Sequence, residues 1–224
     1  MKKNFALKLI KNLIKKAGFR IIKIDSILPD TVLMQKLLYF NRMFNVISSI
    51  EGDIVECGVG EGKTFFLLAF LISNDRKRRK LWGFDSFEGF PEPTSEDESF
   101  RKPKKGEWAG TSPEDVIDLL RRVGIDKKFI EEDIIIKKGF FRQTLNSYRG
   151  NQISLLHIDA DLYDSYKVTL KELFPRVIEG GVVLFDEYNS PKWPGVTKAV
   201  DEYFEGTEYK ISYDEMSGKY YVVK

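Results

Sequence analysis

The chain of 224 residues contains a single cysteine, Cys57, and a single histidine, His157. One cysteine excludes an internal disulfide and suits a reducing compartment, so a cytoplasmic location is expected. With so small a stock of Cys and His, zinc is not the expected metal. No apolar run reaches about 18 residues, so no membrane-spanning helix or stable membrane insertion is expected. Lys8, Lys11, Lys15 and Lys16 break up the N-terminal stretch before an apolar core of signal-peptide type can form. Net charge is nearly absent, 36 basic residues facing 34 acidic ones, and no general affinity for nucleic acid is expected. There is no internal repeat. What is present is 42% hydrophobic residues, with 17 Phe, enough to fill the core of one α/β domain.

The chain is organised around residues 52–62, Gly-Asp-Ile-Val-Glu-Cys-Gly-Val-Gly-Glu-Gly. Ile54 and Val55 pattern as a short buried strand, and Phe65 to Ile72 as a helix. Between them Gly58, Gly60 and Gly62 remove Cβ atoms, so a ligand can lie against bare backbone in the first half of a βαβ unit. Two fingerprints fail here. The dinucleotide pattern meets Lys63 where its third glycine belongs, and the P-loop pattern, satisfied by Gly62, Lys63 and Thr64, opens on Cys57. What remains, Glu56-x-Gly58-x-Gly60-x-Gly62, resembles the first motif of class I S-adenosylmethionine (SAM) methyltransferases. A P-loop-like nucleotide hydrolase working through Lys63 and Thr64, or a SAM-binding protein without catalysis, stays open as the alternative.

Residues 3–17 form an amphipathic pattern, with Ala6, Ile10, Leu13, Ile14 and Ala17 on one face and Lys8, Lys11 and Lys15 on another. Packing on the domain or on a second subunit is expected, with attachment to an anionic membrane surface as the alternative. A second helix is expected over 31–49 with Asp30 as N-cap. Residues 1–50 are thus an N-terminal helical extension, a substrate cover or oligomer contact, and 51–224 the main domain. A strand at 81–84 ends in Asp85, placed to accept hydrogen bonds from a ribose diol. Residues 91–113 hold Pro91, Pro93, Pro103 and Pro113, an acidic run at 96–98, and Phe100 and Trp108. They read as a lid over the substrate, disorder being the alternative. Ser112 and Pro113 open a helix over 114–123. Strands are expected at 133–137, 153–158 and 182–185, and helices at 141–145, 164–177 with Asp164 as N-cap, and 196–205. A closing hairpin is expected at 208–213 and 219–223. Five alternating β and α units followed by a hairpin are the class I methyltransferase pattern, Rossmann-like: a mostly parallel seven-stranded sheet with helices on both faces.

Two acidic stretches end apolar strands: His157-Ile-Asp159-Ala-Asp161-Leu-Tyr-Asp164, and Asp186-Glu187 after Leu184-Phe185. That edge of a parallel sheet holds the ligand. Neighbouring strands lie about 4.8 Å apart, so Asp159 and Asp186 can reach one cation and Glu187 can add a third oxygen. Oxygen donors alone favour Mg²⁺ or another hard divalent ion. The plainer alternatives are solvated strand ends, helix caps, or an ion pair with a nearby lysine. His157 is a base or a satisfied core histidine.

Residues 56–62, 83–91 (Gly-Phe-Asp-Ser-Phe-Glu-Gly-Phe-Pro), 139–145 (Gly-Phe-Phe-Arg-Gln-Thr-Leu), 157–165 and 180–188, with Pro194-Gly-Val-Thr-Lys-Ala-Val-Asp, together resemble the macrocin O-methyltransferase family. The resemblance implies SAM- and Mg²⁺-dependent methylation of a hydroxyl on a sugar, polyol or phenol. It places Asp159, Asp186 and Glu187 at the metal positions and Asp161, the second acid of a D-x-D pair, as general base, with His157 a further catalytic candidate. SAM is expected over Glu56, Gly58, Gly60, Glu61, Gly62 and Thr64. Asp85 would hold its ribose, and Ser86, Phe87, Gly139 and Phe140 would border the adenine. The pair at 186–187 is Asp-Glu where the family commonly has Asp-Asp. A homo-oligomer through the N-terminal helices is a further expectation.

Overall fold

The computed structural model describes residues 31–224. The amphipathic helix expected over 3–17 and the Asp30 cap lie outside them. Seven strands form one sheet: β1 (Asp53–Cys57), β2 (Leu81–Asp85), β3 (Ile134–Lys138), β4 (Ile153–Ile158), β5 (Val177–Phe185), β6 (Ser212–Asp214) and β7 (Lys219–Val223). Their order is β3-β2-β1-β4-β5-β7-β6. The first five are parallel; β7 pairs antiparallel with β5 and β6.

The central strands are buried on both faces, as near-continuous apolar runs predict. Side-chain alternation divides them. Val55, Cys57, Leu156, Ile158, Val183 and Phe185 join the cluster beneath α6 (Tyr163–Leu173) and α7 (Pro194–Phe204). The alternate residue His157 points the other way, where Phe40 of α1 (Thr31–Val46) meets it edge-on at 4.9 Å. α1 buries Tyr39, Phe40, Met43 and Phe44. The compact unit accordingly starts at Gln35 and runs to Lys224.

A buried arginine ties these parts together. Arg79, 1% exposed, donates to the carbonyls of Ile47 and Ile50 beyond α1, to Gly52 O before β1, to Ser154 Oγ on β4 and to Asp75 Oδ2. It thus supplies donors to a cluster of backbone carbonyls that the fold takes out of water.

The remaining helices are α2 (Lys63–Ser73), α3 (Pro113–Arg122), α4 (Lys127–Asp133) and α5 (Phe141–Thr144). Ser112 caps α3 by accepting from Asp115 N, with Pro113 in the first turn. Several local expectations change, β5 starting already at Val177 and β6 being only Ser212–Asp214. Helix α4, capped by Asp126, occupies part of what patterned as loop and strand, because its polar sequence lacks an apolar stripe. α6 gives way at Phe174 to a short 3₁₀ turn containing Pro175. Its N-cap position is Leu162 rather than Asp164, and Asp164 instead pairs with Arg142 at 2.7 Å.

Strand order reverses between β1 and β4, and the register places their ends together. Cys57 lies opposite Ile158, and Ile158 opposite Phe185. Asp159 N donates to Cys57 O, and Asp186 N to Ile158 O. Gly58, Asp159 and Asp186 therefore leave the sheet side by side at its switch point, where open α/β sheets place ligands.

Candidate active site

A cavity of about 770 Å³ opens at this edge. The glycine turn forms part of it. Gly58 (φ 98°) lies so close to β4 that a Cβ would collide with the carbonyl oxygen of Asp159. A Cβ on Gly60 (φ 52°) would meet nothing within 4 Å, and this residue lines the cavity. Asp85 holds the turn in shape: Oδ2 accepts from Gly60 N at 2.8 Å and Oδ1 from Phe87 N at 2.6 Å. A carboxylate has about four acceptor positions, so Asp85 keeps capacity for a ligand in the cavity it lines.

Of the residues singled out around SAM, Gly58, Gly60, Glu61, Thr64, Asp85, Ser86 and Phe140 line the cavity, and Glu56, Gly62, Phe87 and Gly139 do not. The second group supports the first. Glu56 is fully buried and bonds to His157. Gly62 packs against Val116 and Leu119 of α3. Phe87 is buried, and Gly139 N donates to Asp85 O. Lys63, the residue a phosphate site would use, is paired with its neighbour Glu61 at 2.9 Å.

Asp159 and Asp161 line the same cavity. Asp161 is 7% exposed and adopts left-handed backbone (φ 60°). Burial, reinforced by Asp159 and Asp186, pushes its carboxyl well above the ordinary range, against the pull of Arg101 and Lys36. Asp186 goes the other way. Burial raises it, but nearby His157 and the charges of Lys36 and Lys219 outweigh that and hold it well below.

His157 is 1% exposed and does not line the cavity. Its Nδ1 lies 2.9 Å from Glu56 Oε1 and its Nε2 3.8 Å from Asp186 Oδ1. Burial would lower its pKa, but Asp186 and Glu56 hold it up to about 9. It is placed as a buried link between two carboxylates, not as a base facing an acceptor.

The expected metal positions present a mixed picture. Ligand atoms of His157, Asp159 and Asp186 come within 4.8 Å of one another, the spacing an ion would need. Yet His157 is already engaged by Glu56, and lysines hold the carboxylates. Lys36 Nζ lies 3.0 Å from Asp186 Oδ1 and 3.5 Å from Asp159 Oδ2. Lys219 Nζ lies 3.2 Å from Asp186 Oδ1 and 2.7 Å from its carbonyl oxygen. Glu187 turns away, its Oε2 2.7 Å from the Tyr166 hydroxyl, and burial raises its carboxyl, with Asp159 and Asp161 adding to the effect. As arranged, these residues do not fit a divalent ion; the ion pair with lysine is what the fold assembles.

Residues 91–113 pack as a wall. Gly106 N donates to Phe90 O and Phe90 N to Glu107 O. Arg101 lies over Trp108 and Trp193 at 4.7 and 4.6 Å and pairs with Glu107 at 2.7 Å. Asp97 Oδ1 accepts from Tyr163 N at 2.8 Å, capping α6 from outside its own sequence. Thr111 Oγ1 donates to Gly60 O at 3.0 Å. Glu92, Glu107, Trp108 and Thr111 line the cavity. Sequence patterning missed Lys36, Asp97 and Arg101. For Lys36 a signal existed: one charge three and four residues before Tyr39 and Phe40, on the face α1 turns inward.

A parallel sheet closed by one antiparallel strand, with a glycine turn after β1 and a cavity at the switch point, defines the class I methyltransferase fold. Solved structures agree. The calicheamicin methyltransferase CalS11 matches with a TM-score of 0.74 at 24% identity, and the O-methyltransferase NovP with 0.71 at 26%; each match covers 85% of this chain and 79% of the other. The Macrocin-O-methyltransferase (TylF) family matches residues 35–216, and the chain belongs to that family. Among curated relatives, the demethyldecarbamoylnovobiocin O-methyltransferase of Streptomyces niveus is 31% identical, over 70% of this chain and 59% of its own length. A rhamnosyl-tetracenomycin-C 4'-O-methyltransferase of Streptomyces olivaceus is 30% identical over 62% and 54%. The mycinamicin III 3''-O-methyltransferase of Micromonospora griseorubida is 27% identical over 69% and 61%. The chain thus spans roughly three-fifths of the length of the relatives it matches. Among the described residues no helix is long and apolar enough to cross a membrane.

Proposed function

We propose that this chain is a SAM-dependent O-methyltransferase whose acceptor is a hydroxyl of a sugar or another small natural product. One observation carries the reading: a single cavity holds both the bare glycine turn with Asp85 and the acids Asp159 and Asp161. The open space at Gly60 is a cradle that a side chain would fill, which suits SAM lying against backbone. Family membership and relatives named for 4'-O and 3''-O methylation support a sugar hydroxyl as acceptor.

SAM held against Gly58, Gly60 and Asp85 would supply an electrophilic sulfonium methyl, with the C–S electron pair left on sulfur. The protein's part is alignment and proton removal. Gly58, Gly60, Asp85 and Phe140 fix the donor end, and the wall at 91–113 excludes water. Asp161, buried at the acceptor end, takes the hydroxyl proton. Burial raises its carboxyl, the direction that makes a carboxylate a stronger base. Mg²⁺, expected from the acids, has no step in this account, because their present arrangement does not fit it.

The test is transfer of labelled methyl from SAM to a panel of glycosides and catechols. Asp161→Asn should lose about 10²–10⁴-fold in transfer while binding SAM as the wild type does. Undiminished transfer by that variant would remove Asp161 from the mechanism. Hydrolysis of ATP without methyl transfer would return the nucleotide-hydrolase alternative.

A further inference from the structure

The acceptor end of the cavity receives a cation from the chain itself. Lys36 reaches from α1 to two acids that leave neighbouring strands. It lines the cavity with Asp159 and Asp161, its side chain 20% exposed. Its Nζ is within ion-pair distance of both Asp159 and Asp186, and Lys219 supports Asp186 as a second ammonium. Two carboxylates this close repel each other unless a positive charge stands between them. In this fold the charge that stands there is Lys36.

We propose that Lys36 is a positioning residue that supplies the cation of the acceptor site, occupying the place between Asp159 and Asp186 that a divalent ion would need. This rests on the methyltransferase reading above. An ammonium has three donors on a flexible stem. Two meet the carboxylates, and the third can reach an acceptor oxygen in the cavity. A divalent ion entering the same place meets the ammonium of Lys36, with that of Lys219 on the far acid, and binds only if Lys36 swings out. Glu187, held by Tyr166, does not stand ready as a compensating ligand. Two consequences follow for the acceptor. It is held by a hydrogen-bonding point charge rather than by chelation, so a single hydroxyl suffices. Its binding also depends on a residue of α1, outside the strand ends where the recognised motifs lie.

The experiment uses the full chain without acceptor. Mn²⁺ binding is followed by the loss of the free-ion electron paramagnetic resonance signal, for wild type, Lys36→Met and Lys36→Arg. Calorimetry with SAM is run on the same samples. The expected result is that the wild type and Lys36→Arg leave Mn²⁺ largely free, and Lys36→Met binds it about tenfold tighter or more, since the competing charge is gone. SAM affinity should be unchanged across the three. Stoichiometric Mn²⁺ binding by the wild type overturns the proposal, and this arm decides even if Lys36→Met fails to fold. Equal Mn²⁺ affinity in folded wild type and Lys36→Met overturns it as well. Absence of SAM binding in all three would instead sink the methyltransferase reading, a separate outcome from the Mn²⁺ comparison.

Discussion

Two glycines two positions apart do different work. Gly58 makes room for the chain itself, since its missing Cβ is where the carbonyl of Asp159 passes. Gly60 makes room for a ligand, since its missing Cβ faces open space. Alanine should separate the roles. Gly60→Ala keeps the fold, at about 1–2 kcal/mol for a left-handed L-residue, and weakens SAM binding by calorimetry. Gly58→Ala must push β1 from β4, so it should lower Tm far more than Gly60→Ala; equal Tm values would refute this division. Asp75 carries the pH prediction. Burial raises its pKa, but Arg79 and the Lys77 N–H outweigh burial and lower it in the folded protein. A depressed carboxylate stabilises the fold above its unfolded pKa of about 3.9 and loses that contribution as pH falls through the folded value. The Tm gap between wild type and Asp75→Asn should therefore be constant from neutral pH down to about pH 5 and shrink below about pH 4. A gap that widens with acid contradicts the assignment.

Elements take their places through a few long-range polar contacts, and these set the limit of what patterning can reveal. Strands β1, β2 and β4 and the cap of α3 follow from apolar runs, glycine and Ser112-Pro113, all local signals. Asp97 does not. Within its own stretch it is one acid among Glu96 and Glu98; in the fold it caps α6 from 66 residues away. Lys36 meets Asp159 across 123 residues, a pairing that exists only once α1 lies on the β4 side of the sheet. The acids were legible because they end strands, whereas their counter-charges come from elsewhere and were not. Asp97→Ala should cost about 1 kcal/mol, the usual loss of a helix cap, and speed proteolysis within 91–113. Cleavage at the wild-type rate would mean that the wall does not depend on this cap. Arg79→Ala should be the severe one, about 3–5 kcal/mol, since it removes the buried partner of Asp75 Oδ2 and of the Ile50 carbonyl together with its bonds to Ile47 O, Gly52 O and Ser154 Oγ. Chemical denaturation checks it.

At the scale of the molecule, the sheet order brings the glycine turn and the acids to one edge, and the wall at 91–113 joins them into a single cavity. That cavity supports the proposed methyltransferase over the nucleotide hydrolase that Gly62-Lys63-Thr64 suggests in isolation. Lys63 lines the cavity paired with Glu61, but the phosphate-binding pattern opens on Cys57, which is fully buried in β1, and Gly58 and Gly60 present bare backbone where SAM is proposed to lie. Calorimetric titration of the full chain with SAM and with ATP, both in chelator, tests this directly. The account predicts SAM binding with one site per chain, no ATP binding, and no need for a divalent ion. ATP binding without SAM binding would contradict it.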